Sequence, residues 1–209
     1  MAQHRSSRGD AVMEKRMVDA KAKGTGKKMA VLVADAFQDS EYMLPKIEIE
    51  KMGVETEVVS ISDKPDHMWS FFDELGTIDV VKTIDQANPS DYVGVLIPGG
   101  AKSPKTLSDD ARVKAFVRKI GEDGKLVASI CRGSLLAAEA GAARGKDITG
   151  FHHPDQWPEL AISERVEELG GKWHKDRAAI RDGSLVSSRH PDDCQAFADE
   201  IAGWLEENS

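Results

Sequence analysis

Continuous apolar runs, rather than an alternation of apolar and polar residues, mark the strands of this chain. Residues 29–34, 92–97 and 126–130 are such runs. Short continuous runs are typical of strands that are covered on both faces, as in a parallel sheet. Residues 54–61 predict one further strand of the same kind.

Helical stretches separate these strands. A first helix is predicted over residues 41–52, with Asp39 or Ser40 as its cap, and a second over residues 109–120 after Ser108. A third helix ends at Gly170-Gly171, and a closing helix runs from Pro191 to residue 207. The dipeptide Asp182-Gly183 lies between residues 177–181 and 184–188, and it predicts a hairpin.

Strands that alternate with helices indicate right-handed crossovers and a mainly parallel sheet. The fold class is therefore α/β. Ligand sites in such sheets lie at the carboxyl ends of the strands. Three loops are expected to meet at that edge: residues 35–40, 98–105 and 131–134.

The composition of the chain argues against some classes of function. The chain has 209 residues and a net charge of −8, with acidic and basic residues interspersed. This argues against nucleic acid as a partner, and no run is long enough to span a membrane. Residues 1–26 are a basic extension without an apolar signal core, which favours a cytoplasmic protein. The extension is either disordered or a strap between subunits, and residues 27–209 form one domain.

Cys131 is the most informative residue. It ends the apolar run 126–130 and precedes a helix-forming stretch, so it occupies a sharp strand-to-helix turn, a nucleophile elbow. The first N–H groups of that helix would favour a thiolate. We therefore interpret Cys131 as a nucleophile or an oxidation sensor; the alternative is an inert buried cysteine. Cys194 has core-like spacing and is interpreted as structural.

Two further segments reach the same edge. Glu41 opens the first helix, so its carboxyl can approach the cysteine, although a first-turn acid also complements the helix dipole. Pro98-Gly99-Gly100 follows a strand, where glycine lets backbone amides point at an oxyanion. A simple tight turn would have the same composition.

Four separated motifs carry a family resemblance. They are residues 36–41 with Pro45, residues 96–100, residues 128–133 and residues 187–193. In order and spacing they resemble the ThiJ/PfpI superfamily, which includes PfpI-type intracellular proteases and the parkinsonism-associated deglycase. The resemblance covers about residues 28–207 and is closest to the PfpI branch.

The resemblance implies a three-layer flavodoxin-like sandwich of the class I glutamine amidotransferase type, and homo-oligomers, either dimers or dimer-based hexamers. It implies that Cys131 is the reactive residue and that Glu41 is protonated and hydrogen-bonds its sulfur. It also implies an oxyanion hole formed by the backbone amides of Gly100 and Arg132, with Gly99 beside the substrate.

The chain departs from the protease branch at two positions. Arg132 stands where those proteases usually carry a histidine base, and arginine stays protonated at neutral pH. It can instead stabilise a thiolate or bind a substrate carboxylate. Lys105 stands where the branch has a glutamate that completes its triad. Peptidase activity is therefore the weakest hypothesis.

Histidines offer a replacement base. His153-Pro154 is similar to the His-Pro of the deglycase branch, so His153 is the provisional base, with an exposed loop histidine as the alternative. His152 and Arg189 are candidate substrate-binding residues. The two adjacent histidines lack further ligands at metal spacing, so no metal is expected.

The leading hypothesis is a cysteine-dependent enzyme that acts on small reactive carbonyls or their adducts, with glyoxalase-, deglycase- or hydrolase-like chemistry. That chemistry requires no cofactor. The alternative is a non-enzymatic, stress-responsive redox sensor or chaperone that works through oxidation of Cys131.

Overall fold

The structure is a computed structural model that describes residues 25–61, 78–153, 155 and 161–208. The strands are β1 (Lys28–Leu32), β2 (Glu55–Ser60), β3 (Lys82–Thr83), β4 (Gly94–Ile97), β5 (Leu126–Ile130), β6 (Asp147–Ile148), β7 (Lys172–Trp173), β8 (Ala179–Asp182) and β9 (Leu185–Ser188). The α-helices are α1 (Asp39–Lys51), α2 (Ser103–Ser108), α3 (Ala111–Glu122), α4 (Gly133–Glu139), α5 (Ser163–Glu168) and α6 (Cys194–Glu207).

Seven of these strands form one sheet in the order β3-β2-β1-β4-β5-β9-β8. All neighbours are parallel except β8 and β9, which form the predicted antiparallel hairpin around Gly183. The strands β6 and β7 pair separately in a small parallel sheet. The predicted α/β class with a mainly parallel sheet is confirmed.

Alternate residues of the central strand enter two different cores. Ala30 and Leu32 of β1 belong to the core under α3 and α4, whereas Met29 and Val31 belong to the core under α1 and α6. A strand buried on both faces must be apolar at every position, and this explains the continuous run. The predicted three-layer, flavodoxin-like sandwich is confirmed.

Helix starts differ from the prediction. α1 begins at Asp39, so this residue lies in the first turn instead of capping it, and the side chain of Gln38 at the cap position makes no capping bond to the helix backbone. Ser108 is the last residue of α2 and caps nothing; the side chain of Asp110 accepts the N–H of Arg112 and begins α3. Capping side chains compete over a few residues, so hydropathy alone misplaces such boundaries.

Other elements were not predicted at all. They are the short helix α2 and the two-residue strands β3 and β7, which are too brief to produce a hydropathy period. Residues 1–24 of the predicted extension, and residues 62–77, lie outside the described residues. No helix in the described part of the chain is long and apolar enough to cross a membrane.

A buried carboxylate joins residues of three neighbouring segments at the amino-terminal edge of the sheet. Glu57 of β2 is 5% exposed and accepts hydrogen bonds from the ammonium group of Lys28 and, at 2.9 Å, from the hydroxyl of Tyr92. The Lys82 ammonium lies 3.0 Å away. Burial alone would raise the pKa of Glu57, but these donors outweigh it and lower the pKa to about 2.

We predict that Glu57→Gln destabilises the fold by about 2 kcal/mol at pH 7, because two lysines lose their buried counter-charge. A carboxyl with a lowered pKa stabilises the fold above its unfolded pKa, and that contribution falls as pH drops toward the folded pKa. The difference in the free energy of unfolding between Glu57→Gln and the parent should therefore become smaller as pH falls from about 5 toward 3. Urea unfolding followed by circular dichroism measures it.

The matched control is Glu48→Gln, which removes a surface ion pair with Lys51. Exposed pairs of this kind contribute about 0–1 kcal/mol, so its effect should be small at every pH. A loss of stability in Glu57→Gln that stays the same at all pH values would contradict the assignment.

Candidate functional site

The strand-to-helix turn that bears Cys131 has the geometry of a nucleophile elbow. Cys131 follows β5 with a φ of 59°, a value that non-glycine residues rarely adopt, and α4 begins at Gly133. A side chain at Gly133 would place its Cβ 2.3 Å from the carbonyl oxygen of Ile97, so only glycine fits there. The predicted sharp turn is present, and Cys131 is 7% exposed.

Glu41 of α1 lies fully buried against this turn. Its Oε2 atom accepts the N–H of Gly99 at 2.8 Å, and its carboxyl interacts with the Cys131 thiol. Burial raises the pKa of Glu41 to about 8, although both hydrogen bonds lower it. The carboxyl is therefore protonated at neutral pH, as the resemblance implies.

Gly99 is what allows the two side chains to approach each other. A Cβ on Gly99 would lie 2.6 Å from the Cβ of Cys131, 2.6 Å from Oε2 of Glu41 and 3.0 Å from the sulfur. Separations under about 3 Å do not occur between such atoms. The absence of a side chain on Gly99 therefore makes the contact between Glu41 and Cys131 possible.

The backbone amides of Arg132 and Gly100 both donate toward the sulfur. Gly100 has a φ of 122° and its peptide pairs with that of Phe37, which fixes the loop that follows β4. Two converging amides beside a thiol are an arrangement that can receive a developing oxyanion.

The ionisation of Cys131 differs from the prediction. Burial, followed by the negative charge of Glu41 when that residue is ionised, raises the pKa of the thiol well above its ordinary value. The two amides act in the opposite direction but do not overcome desolvation. Desolvation therefore opposes the thiolate that the start of the seven-residue helix α4 was expected to favour.

Arg132 uses its guanidinium within its own loop. Its Nη1 atom donates to the carbonyl oxygen of Ala101 at 2.6 Å and to that of Gly100 at 3.4 Å. These bonds hold the loop whose Gly100 amide faces the sulfur. Lys105, the other departure from the protease branch, is exposed on α2 and ion-paired with Asp109.

The two candidate histidines have different surroundings. His152 lies with its ring 6.0 Å from that of Trp173. His153 has its ring 5.1 Å from Phe151 and 5.9 Å from His190. Since the N–H of Phe151 donates to the carbonyl of Cys131 at 3.2 Å, this segment lies beside the elbow.

His190 and Asp193 were not among the predicted site residues. Both follow β9, the strand beside β5, and the Nε2 atom of His190 is 3.5 Å from Oδ2 of Asp193. Arg189, the candidate substrate-binding residue, donates to both oxygens of Asp193, at 2.8 and 3.1 Å. The available signal was position, because this motif begins at the carboxyl end of a parallel strand.

Cys194 lies at the start of α6 and is 1% exposed. Its thiol contacts the carbonyl oxygen of Ser40 at 3.6 Å, and burial raises its pKa to about 12. These surroundings agree with a structural role. Within the ranges that the structure describes, no group of three His, Cys, Asp or Glu side chains could hold a metal ion.

Two surface cavities of about 480 and 410 Å³ lie away from the elbow. The first opens between the end of α4 and the start of β9, and the second lies at the starts of β1 and β5. Both are at the amino-terminal edge of the sheet. Size alone therefore does not identify the candidate site.

Comparison with known proteins agrees with this geometry. The chain is 32% identical over 179 residues to protein/nucleic acid deglycase 2 of Escherichia coli, covering 86% of this chain and 98% of that protein. It is 31% identical over 183 residues to a deglycase of Thermococcus kodakarensis, covering 85% of this chain and 99% of the relative.

A solved structure has the same fold. A two-domain protein from Anabaena variabilis, with DJ-1/ThiJ/PfpI-like and ferritin-like domains, superposes with a TM-score of 0.77 at 30% identity. The match covers 86% of this chain and 48% of that protein. The sequence model of the DJ-1/PfpI family matches residues 27–203, and the chain belongs to the DJ-1/PfpI family.

Proposed function

We propose that this protein is a cysteine-dependent enzyme that acts on small reactive carbonyls or on their adducts with amines or thiols. The observation that carries the proposal is the convergence on one sulfur of two backbone amides and a carboxyl that is protonated at neutral pH. The deglycase relatives support the same class of substrate.

The proposed first step is addition of the thiol to a carbonyl carbon. As the sulfur of Cys131 forms the new S–C bond, its S–H bond breaks and releases the proton that the product oxygen needs, and the π electrons of the carbonyl move to that oxygen. The amides of Gly100 and Arg132 then donate to this oxyanion, which takes up a proton to give a hemithioacetal. Glu41 holds the sulfur and exchanges a proton with the adduct.

Peptidase activity has little support in this arrangement. The Arg132 guanidinium is bonded to the carbonyls of Gly100 and Ala101 and stays protonated, so it cannot abstract a proton. The exposed Lys105 is paired with Asp109. Neither replaces the partners of the protease branch.

Redox sensing is the second candidate, and one observation favours it. The amides and the protonated Glu41 carboxyl that would bind an oxyanion can equally bind the oxygens of an oxidised Cys131 sulfur. Burial and the raised pKa of the thiol count against fast oxidation, because the thiolate is the reactive form.

We also propose that the protein forms a dimer through α1. This helix exposes three large apolar side chains, Met43, Leu44 and Ile47, while its opposite side packs into the core through Tyr42 and Ile49. A helix with apolar residues on both sides is typical of an element that packs against its own core on one side and against a second chain on the other.

Replacing the sulfur tests the enzymatic proposal. We predict that Cys131→Ser lowers consumption of methylglyoxal by at least about 100-fold, because the hydroxyl is a far weaker nucleophile. Loss of the carbonyl, measured by hydrazine derivatisation, reports the rate. Cys194→Ser is the matched control and should keep the parent rate.

Unchanged turnover in Cys131→Ser would rule the mechanism out. Mass spectrometry after mild peroxide treatment separates the two candidates. Selective oxidation of Cys131 in a parent protein that consumes no carbonyl substrate would favour the sensor instead.

The protonated state of Glu41 predicts a pH dependence. As pH rises through about 8, Glu41 ionises, loses the proton that it donates and repels the sulfur, so the rate should fall. Glu41→Gln keeps the shape but cannot ionise or transfer a proton. We predict a rate lowered by about 100-fold and no alkaline fall.

Rates from pH 6 to 10 test this dependence. The control is Glu139→Gln on α4, which should retain the alkaline fall of the parent. If that fall persists in Glu41→Gln, another group causes it and the assignment of Glu41 is wrong.

Sedimentation tests the dimer. We predict that the parent sediments at twice the chain mass and that Leu44→Glu sediments at the chain mass, because a charge within an apolar contact is costly. Val81→Glu alters the remaining large exposed apolar side chain of the described residues and should leave the dimer intact. A parent protein at the chain mass would contradict the proposal.

A further inference from the structure

The smaller of the two surface cavities, of about 410 Å³, opens at the amino-terminal edge of the sheet, opposite the edge that carries Cys131. Small-molecule sites usually have volumes of about 300–1,000 Å³, so the cavity is large enough for a ligand. Gly26 and Gly124 border it, and a Cβ added to either would meet nothing within 4 Å. The cavity is therefore open to solvent beside these two glycines, and a ligand has room to enter.

The deep part of this cavity is apolar and partly aromatic. Val54, Trp204 and Leu205 line it and are almost wholly buried. Tyr92, whose hydroxyl is bonded to Glu57, lines it as well. Aromatic rings contact one another favourably in edge-to-face or offset arrangements. This lining therefore suits a ligand with a flat apolar ring.

Two ammonium groups that border the cavity have no carboxylate partner among the described residues. Nζ of Lys27 donates to the carbonyl oxygen of Asn208 at 3.2 Å, and Nζ of Lys125 donates to that of Pro89 at 2.7 Å. Each carbonyl uses one of the three N–H groups of its lysine and leaves the positive charge in place. The carbonyls thus hold both lysines beside the cavity with donors left for an anion.

The remaining charged groups of the cavity compensate one another. Lys28 is ion-paired with Glu57, and the charge of Asp91 also acts on it. With Lys27 and Lys125 included, three lysines face two carboxylates. The cavity therefore has one excess positive charge in a chain whose net charge is −8, and this excess is complementary to a ligand with one negative charge.

We propose that this cavity binds a small carboxylate that carries an aromatic ring, with the carboxylate at Lys27 and Lys125 and the ring against Trp204. The proposal does not rest on the chemistry of Cys131. The two sites lie at opposite edges of the sheet, so ligand binding and carbonyl consumption can be measured independently.

The cavity of about 480 Å³ at the end of α4 lacks this combination of features. The charged residues that line it are of both signs: Arg118, Arg144, Lys146, Glu122 and Glu139. Its described lining contains no aromatic ring, and Nε of Arg118 donates to the carbonyl oxygen of Ala140 at 3.2 Å. Charge and apolar lining together therefore favour the smaller cavity as the carboxylate site.

Titration of the full chain with phenylacetate tests the proposal. Phenylacetamide is the uncharged analogue, and acetate is the analogue without a ring. Isothermal titration calorimetry at low ionic strength gives each dissociation constant. We expect phenylacetate to bind with a Kd of about 1 mM or lower. Both analogues should bind at least about 10-fold more weakly, because each lacks either the charge or the ring. Added salt should weaken the binding of phenylacetate.

The indole N–H of Trp204 reports where the ligand binds. The chain has four tryptophans, and Trp204→Phe identifies the signal of this residue in a nitrogen–proton NMR spectrum. The Trp204 signal should shift in step with the calorimetric titration. The signal of Trp173, whose ring lies 6.0 Å from that of His152, should stay in place.

Variants of the two lysines test the charge. Lys27→Met and Lys125→Met should each raise the Kd of phenylacetate by about 5- to 20-fold, since each removes one charge-assisted hydrogen bond. Lys146→Met is the matched control, because it removes a lysine of the other cavity, and its Kd should stay within about twofold of the parent value. Thermal melting checks each fold, and a glutamine variant replaces any methionine variant that melts early.

Any one of four results would overturn the proposal. The first is a Trp204 signal that does not shift at about 10 mM phenylacetate. The second is equally tight binding of phenylacetamide, which would make the site merely apolar. The third is an unchanged Kd when Lys27→Met and Lys125→Met are combined. The fourth is a changed sedimented mass in either lysine variant, which would make the cavity a contact between subunits.

Discussion

The contact of Glu41 with Cys131 across the bare Cα of Gly99 is the constraint on which the site depends. A single methyl group on Gly99 would occupy the space of a carboxylate oxygen, a Cβ and the sulfur. Three elements therefore have to converge at this point: the start of α1, the loop after β4 and the turn after β5. The positive φ of Cys131 and the close approach at Gly133 are local costs of that convergence.

Such close packing also determines the electrostatics. Burial raises the pKa of both acids, because a charge on either group would be poorly solvated there. The amides of Gly100 and Arg132 act in the opposite direction on the thiol. The Arg132 guanidinium holds the loop that carries the Gly100 amide by bonding to the carbonyl of Ala101.

Hydropathy could predict the elements that carry this site, because β1, β4 and β5 are buried on both faces and allow no polar interruption. The elbow followed from Cys131 lying between such a strand and a helix. Two-residue strands such as β3 leave no period to detect, and the start of α1 depended on a cap that Gln38 does not make.

The tertiary parts of the site could not be predicted in this way. The bonds of the Arg132 guanidinium and the distance from His190 to Asp193 join residues whose proximity only the folded sheet produces. The raised pKa of Cys131 was missed for the same reason. A helix N-terminus is visible in the sequence, whereas the desolvation that outweighs it depends on all three converging elements.

Two buried glutamates show how the fold separates stability from chemistry. Glu57, at the amino-terminal edge, is met by two ammonium groups and a hydroxyl, and its pKa falls to about 2. Glu41, at the carboxyl edge, interacts with an amide and a thiol among the described residues, and its pKa rises to about 8. Burial acts in the same direction on both, so the partners decide the outcome. A lysine beside Glu41 would stabilise its charge, but it would also remove the proton that the sulfur needs. In the proposed mechanism Glu41 acts in its protonated form, which an uncompensated carboxyl favours, and the ion-pair network of Glu57 lies at the opposite edge of the sheet.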